Sequence, residues 1–123
     1  MSKQQFLADN LNPGEVYAGL ILGEDDAPDH HLILLPGEGE KLTFKAASAW
    51  AKKQGGDLPT RREARLLWVN ARAAFQPDYY WTGEQYASDS SYAWFQYFSY
   101  GTQYYGHVYD ELRARAVRRL VLL

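Results

Sequence analysis

The side chains best equipped for chemistry in this sequence are phenols. Nine of its ten tyrosines lie between Tyr79 and Tyr109, interleaved with serine, glycine and aspartate. A tyrosine ring offers a large, rigid contact area with a hydroxyl at its tip, and neighbouring serine or glycine adds adaptable hydrogen bonding. That mixture predicts a recognition surface rather than a reaction centre. The candidate contact residues are Tyr86, Ser88, Asp89, Ser91, Tyr97, Tyr100, Gln103, Tyr104, Tyr105, His107 and Tyr109. Strand packing explains part of the enrichment, because aromatic side chains suit a pleated, half-buried surface. In YAWFQYF, alternation gives one face to the core, and Trp94 is assigned to it. The tyrosines set among ASDSS, SYGTQ and YYGHVYDE are surrounded by turn formers and are expected to be solvent-accessible and clustered on one face.

Other chemistries find less support. The chain has no cysteine, which excludes disulfides, thiolate metal sites and cysteine nucleophiles. The segment DDAPDHH, Asp25 to His31, holds possible metal ligands, yet adjacent histidines on a strand point to opposite faces and do not readily share one ion. A solvated loop running into a strand is the expected structure. His107 has no serine-and-acid arrangement that spacing alone supports. Bases stack on tyrosines, but affinity for a phosphate backbone needs cations, and residues 73–112 contain neither lysine nor arginine. The formal net charge of −2 adds no attraction to nucleic acid or membrane. The reading is therefore of a binding protein that is not an enzyme, with no cofactor, no metal, no nucleic-acid partner and no membrane insertion. The start MSKQQFLADN lacks the layout of a signal peptide, so cytoplasmic synthesis is expected, with virion assembly as a signal-free route outward.

These residues must be positioned by a frame, and 123 residues suffice for one domain with a real core. The first dozen residues are polar and are expected to be loose. Val16 to Leu22 and His30 to Pro36 have the composition of a strand pair joined by the acidic loop GEDDAPD. Thr43 is placed to cap a helix whose Ala47, Trp50, Ala51 and Gln54 share a face, with Gly55-Gly56 as its stop. Thr60 and Glu63 have capping-box spacing, and Ala64, Leu67, Trp68 and Ala71 give the apolar face of a second helix. From Tyr79 the chain turns to short strand-like runs that end in LRARAVRRLVLL, whose arginines are expected to pair with carboxylates or cover the sheet edge. Segregated strands and helices of this kind predict an α+β domain spanning residues 1–123.

The run TFKAASAWAKKQGGDLPTRREARLLWVN resembles the two-helix core of the C-type-lectin fold, through Phe44, Ala47, Trp50, Gly55, Gly56, Leu58 and Glu63. Further on, YYWTGEQYASDSSYAWFQYFSYG is similar to the tryptophan-glycine strand and aromatic strand of that fold. The nearer resemblance is to the cysteine-free bacterial and phage branch, the DUF1566-type domains, over about residues 43–120. Relatives of that branch include the formylglycine-generating enzymes and the variable proteins of diversity-generating retroelements. The resemblance implies two helices packed on a mostly antiparallel sheet with long loops. The calcium-site tripeptides of sugar-binding lectins and the cysteines of the formylglycine-generating enzymes are both absent from the sequence.

The resemblance further implies a phage- or prophage-encoded receptor-recognition module for a host-surface protein or glycan, a homo-oligomer or an attachment to a phage tail. Retroelement diversification of asparagine codons would yield Tyr, Ser, Asp, Gly, His, Phe or Asn. Tyr86, Ser88, Asp89, Ser91, Tyr97, Tyr100, Tyr104, Tyr105, His107 and Tyr109 are all on that list. The alternative expectation is a structural or assembly subunit of the particle with its aromatic face buried in an interface.

Overall fold

A computed structural model describes residues 2–122. The chain is α+β, with helices α1 (Lys3–Asn10), α2 (Phe44–Lys53) and α3 (Arg61–Asn70), a 3-10 turn at Arg72–Ala74, and eight strands. These are β1 (Val16–Ile21), β2 (His30–Leu34), β3 (Gly39–Leu42), β4 (Tyr79–Gln85), β5 (Tyr92–Tyr97), β6 (Thr102–His107), β7 (Leu112–Ala114) and β8 (Val117–Val121). They form an antiparallel sheet β1-β2-β8 and a second sheet β3-β7-β4-β5-β6, antiparallel except where β4 meets β7.

Both main helices begin and end where local chemistry dictates. Thr43 Oγ1 accepts from the Ala46 N–H at 3.3 Å and opens α2. Gly55, at φ +92°, closes it, its N–H reaching Lys52 O at 3.0 Å while Gly56 N–H reaches Ala51 O at 3.1 Å. That reciprocal pattern needs a left-handed residue, which glycine adopts without steric cost. At α3, Thr60 Oγ1 accepts from Glu63 N–H and Glu63 Oε1 accepts from Thr60 N–H, a complete capping box.

Each helix covers one side of the molecule. Leu67 and Ala71 of α3 pack with Ala18, Leu32, Leu34, Tyr80, Phe98 and Val117. Ala47 and Ala51 of α2 pack with Leu35, Leu58, Trp81, Ala93, Ala114 and Ala116. Successive residues of β4, Tyr80 and Trp81, thus point into different clusters, as strand alternation requires. Trp81 is 1% exposed and donates Nε1–H to Leu42 O at 2.8 Å.

Several expectations need correction. The first residues form a helix, capped by Ser2 and docked by Phe6, which lies 4.4 Å from the His31 ring and 5.5 Å from Tyr17, and by Arg118, which donates to Asn10 O at 2.6 Å. No α1 residue is buried, so the segment carries no apolar stripe from which its fold could be read. The C-terminal run is two strands, interrupted at Arg115 and Ala116, where the chain passes from one sheet to the other. The short strand β3, Gly39–Leu42, was not expected at all, because GEKL has no β-rich composition. On α2, Gln54 is exposed and Trp50 only half-buried, while Ala47 and Ala51 carry the contact. The arginines do pair: Arg113 with Glu38, Glu40 and Asp78, Arg118 with Glu15, and Arg119 with Asp57 and Glu63. Arg115 is buried and donates to the Ala74 and Leu35 carbonyls.

Candidate binding surface

The candidate residues follow from the pairing of β4, β5 and β6. The β5–β6 register sets Tyr92 opposite His107, Trp94 opposite Tyr105, and Gln96 opposite Gln103 on one face. The other face carries Phe95 opposite Tyr104 and Tyr97 opposite Thr102, with Tyr79 opposite Tyr97 across β4. None of the eleven candidates is buried.

Alternation therefore divides the tyrosines that the sequence was expected to gather on one face. The first group is centred on Tyr105, whose ring lies 4.2 Å from Tyr86, 5.3 Å from Trp94 and 5.7 Å from Tyr92. His107 joins it through Tyr92 at 5.7 Å, and Tyr109, 77% exposed, stacks on His107 at 5.2 Å. The second group is Tyr79, Phe95, Tyr97 and Tyr100, with Tyr79 stacked on Tyr97 at 4.5 Å and Tyr97 5.5 Å from Tyr100. Tyr104 belongs to the second face by register, yet its ring stacks on Tyr105 at 4.9 Å and 9°. Two neighbours on a strand point apart, so this stack requires a ring to fold around the open side of β6.

Beneath the first group runs a polar ladder. The Gln96 side chain is fully buried and donates to Ala64 O at 2.6 Å, while Gln103 Nε2 donates to Gln96 Oε1 and to Arg61 O, each at 2.8 Å. Arg61 Nε donates to Gln103 Oε1 at 3.1 Å, and its guanidinium lies 3.6 Å above the Trp94 ring. Such a cation held over an indole is attracted by the ring's quadrupole. Gln103 is thus a support as much as a contact. Arg61 could not be assigned here from sequence, because the spacing of α3 does not say which strand its first turn meets. Trp94, expected in the core, is only half-buried, sharing its face with Arg61 and Tyr105.

The serine-rich connection of β4 to β5 is a tight loop. Tyr86 N–H donates to Tyr92 O, Asp89 N–H to Tyr86 O, and Asp89 Oδ1 accepts from Ser91 N–H at 2.9 Å. Asp89 and Ser91 shape the loop, and Ser88 is exposed. After β6, Asp110 Oδ2 accepts from His107 N–H and the ring Nδ1 of His107 accepts from Tyr109 N–H. The Tyr105 hydroxyl is held above the ordinary phenol value, chiefly by charge repulsion from Tyr86 and then from Tyr104. It stays neutral and available as donor and acceptor at physiological pH.

The two histidines diverge as alternation predicts: His30 Nε2 meets Glu63 Oε2 at 2.7 Å, and His31 Nδ1 meets the Tyr17 hydroxyl at 2.8 Å. Among the described residues, no group of three or more histidines and carboxylates is arranged to hold a metal ion. A cleft of about 540 Å³ lies between His30, Thr60, Arg61, Arg62, Arg65 and Glu84. Arg62 there already donates to Glu24 and to Leu22 O. No described helix is long and apolar enough to cross a membrane. No protein-family model matches this chain, and no curated protein matches it as a relative.

Proposed function

We propose that this chain is a ligand-binding module that recognises a macromolecule, a host-surface protein or glycan, through the aromatic surface of β4, β5 and β6. The observation that carries the reading is the location of the rings. Tyr79, Tyr100, Tyr104 and Tyr109 are exposed, and the half-buried Tyr86, Tyr97 and Tyr105 pack on other surface rings. Exposed aromatic clusters rimmed by polar groups mark interaction sites.

We also propose that the frame is C-type-lectin-like. Support comes from the pairing of β8 with β2 beside β1, which brings the first and last strands into one sheet, and from two helices packed on a mostly antiparallel second sheet. With the sequence resemblance, this favours a phage or prophage origin and a receptor-recognition role, and it makes the Tyr/Ser segment a candidate target of retroelement diversification.

The test is binding of the fluorescently labelled chain to a panel of bacterial cells, beside a Tyr86→Ser, Tyr105→Ser, Tyr109→Ser triple variant that retains its fold by circular dichroism. Selective staining of some strains, lost in the variant, is the expected result. Equal staining by both proteins would refute the reading. Assembly of the free chain into a stable oligomer that buries these rings would favour the particle-subunit alternative.

A further inference from the structure

Among the described residues, the second sheet ends at β6 with no strand on its outer side. The Val108 N–H donates to Ser91 O at 2.9 Å, which sets residue 108 with its backbone groups toward β5. Stepping by two along the β5–β6 register, Gly106, Tyr104 and Thr102 direct their backbone groups toward β5. Gln103, Tyr105 and His107 therefore direct theirs outward. His107 is already closed, since its N–H is taken by Asp110 Oδ2 and its C=O by the Asp110 N–H. Gln103 and Tyr105 are left with outward N–H and C=O groups.

Exposed sheet edges are ordinarily blunted by lysine, proline or inward charge. TQYYGH has none of these. It is instead the line where the two aromatic groups meet, because the Tyr104–Tyr105 stack folds around it. A ligand lying along this edge reaches the rings of both faces at once. We propose that β6 receives an extended segment of a partner protein by strand addition, with backbone bonds at Gln103 and Tyr105 and alternate side chains set against the Tyr105 and Tyr104 rings. This rests on the ligand-binding reading above and specifies its partner as a polypeptide backbone.

Charge indicates the composition of the segment. Asp110 and Glu111 follow β6 directly, Asp89 lies on the loop that leads into β5, and all three are exposed. Residues 73–112 supply no cation of their own, and Arg61 is committed to Trp94 and Gln103. The fitting partner is thus an extended segment carrying lysine or arginine among aromatic or aliphatic residues.

The experiment selects binders from a linear-peptide display library against the immobilised chain, then measures the enriched synthetic peptides. Two variants at one position separate ring from backbone: Tyr105→Ser keeps the N–H, and Tyr105→Pro removes it at an edge position where proline is tolerated. Enriched peptides should be basic, and Tyr105→Pro should bind them about tenfold more weakly than Tyr105→Ser, the worth of one backbone hydrogen bond. Amide exchange followed by NMR gives a second readout that needs no variant. In the free chain the Gln103 and Tyr105 amides should exchange quickly and Tyr104 slowly, and peptide should slow the Tyr105 amide.

Peptides that bind equally to both variants and leave the Tyr105 amide unprotected overturn strand addition while the aromatic surface stands. A library that yields no binder also overturns it. The ligand-binding reading fails separately, when the triple tyrosine variant stains cells as the unmodified chain does. Protection of Tyr105 that grows with protein concentration in the absence of peptide overturns the partner assignment in favour of a second copy of this chain.

Discussion

Around Glu63 and around Tyr105 the molecule treats its polar atoms in opposite ways. The Glu63 carboxylate is fully buried, and each oxygen accepts two hydrogen bonds. Oε1 takes them from Thr60 N–H and Arg119 Nη2, and Oε2 from His30 Nε2 and Arg119 Nε, all within 2.8 Å. Arg119 continues to Asp57, which also pairs with Lys52. The network ties α3 to β2, β8 and the turn after α2. Around Tyr105 the rings crowd one another at the surface, and the neighbouring backbone groups of β6 point outward. A saturated network fixes a geometry, because any displaced group leaves another buried and unpaired. A surface with spare hydrogen-bonding capacity leaves something for a ligand to satisfy. The contrast separates a frame from a display surface.

The largest effect expected to test this contrast is acid. The Glu63 carboxyl is pushed up by burial, but the Arg119 hydrogen bonds, the Thr60 amide, the Arg119 charge and His30 outweigh that and hold it below its ordinary 4.5. Arg118 lowers Glu15, Lys52 and Arg119 lower Asp57, and Arg113 lowers Asp78. A depressed folded value means that the unfolded chain binds the proton more tightly, so the stabilisation is complete above the ordinary value and is lost as pH falls through the folded one. Thermal scans should show Tm steady near neutrality and falling steeply below about pH 4.5 as carboxylates titrate. A Tm that holds unchanged to about pH 3 would break the contrast, because the frame would then not depend on these ion pairs.

Removing one member of the buried network comes next. Glu63→Ala leaves Arg119 and His30 facing an empty site and deletes half of the capping box. Loss of one partner of a buried pair costs about 3–5 kcal/mol, to be read from urea midpoints. Glu63→Gln keeps the shape and some acceptors, and should fall between the two. An alanine variant within about 1 kcal/mol of the parent would mean that water readily replaces the carboxylate.

The junction between the regions gives an intermediate effect. Gly101 sits in the turn from β5 to β6 at φ +76°, and a Cβ there would come within 2.5 Å of the Trp68 ring on α3. Gly101→Ala combines a left-handed backbone with overpacking and should cost about 1–3 kcal/mol by the same assay. A neutral result would show that the turn can shift without disturbing α3.

Legibility in the sequence followed the same division. The frame was readable wherever its signals are local: Thr43 and Gly55 bound α2, Thr60 and Glu63 cap α3, and the β1–β2 pair falls where GEDDAPD placed a loop. What stayed hidden depends on contacts distant in sequence. Composition found the tyrosines, but only the β5–β6 register and the turns around it decide which face each ring takes. Arg61 meets Trp94 across 33 positions, and His30 meets Glu63 across as many, with no periodicity to announce either. The helix at Lys3–Asn10 escapes for a related reason: it is docked by one ring, Phe6, and by the distant Arg118, and neither contact has a period.

The smallest effects fall within the display surface, and their order sharpens the contrast most. Tyr105 touches Tyr86, Tyr92, Trp94 and Tyr104, whereas Tyr109 stacks only on His107 and is 77% exposed. Aromatic pairs contribute about 0.5–1.5 kcal/mol beyond burial, so Tyr105→Ser should cost about 1–2 kcal/mol. Tyr109→Ser gives up one exposed stack and should stay within about 0.5 kcal/mol. Ligand binding should not follow this order, since a well-exposed ring contributes little to folding yet offers its whole area to a partner. Paired urea titrations and cell-binding measurements on the two variants would show it. If Tyr109→Ser lowers stability as much as Tyr105→Ser, the outer tyrosine belongs to the frame, and the boundary drawn here must move to exclude it from the surface.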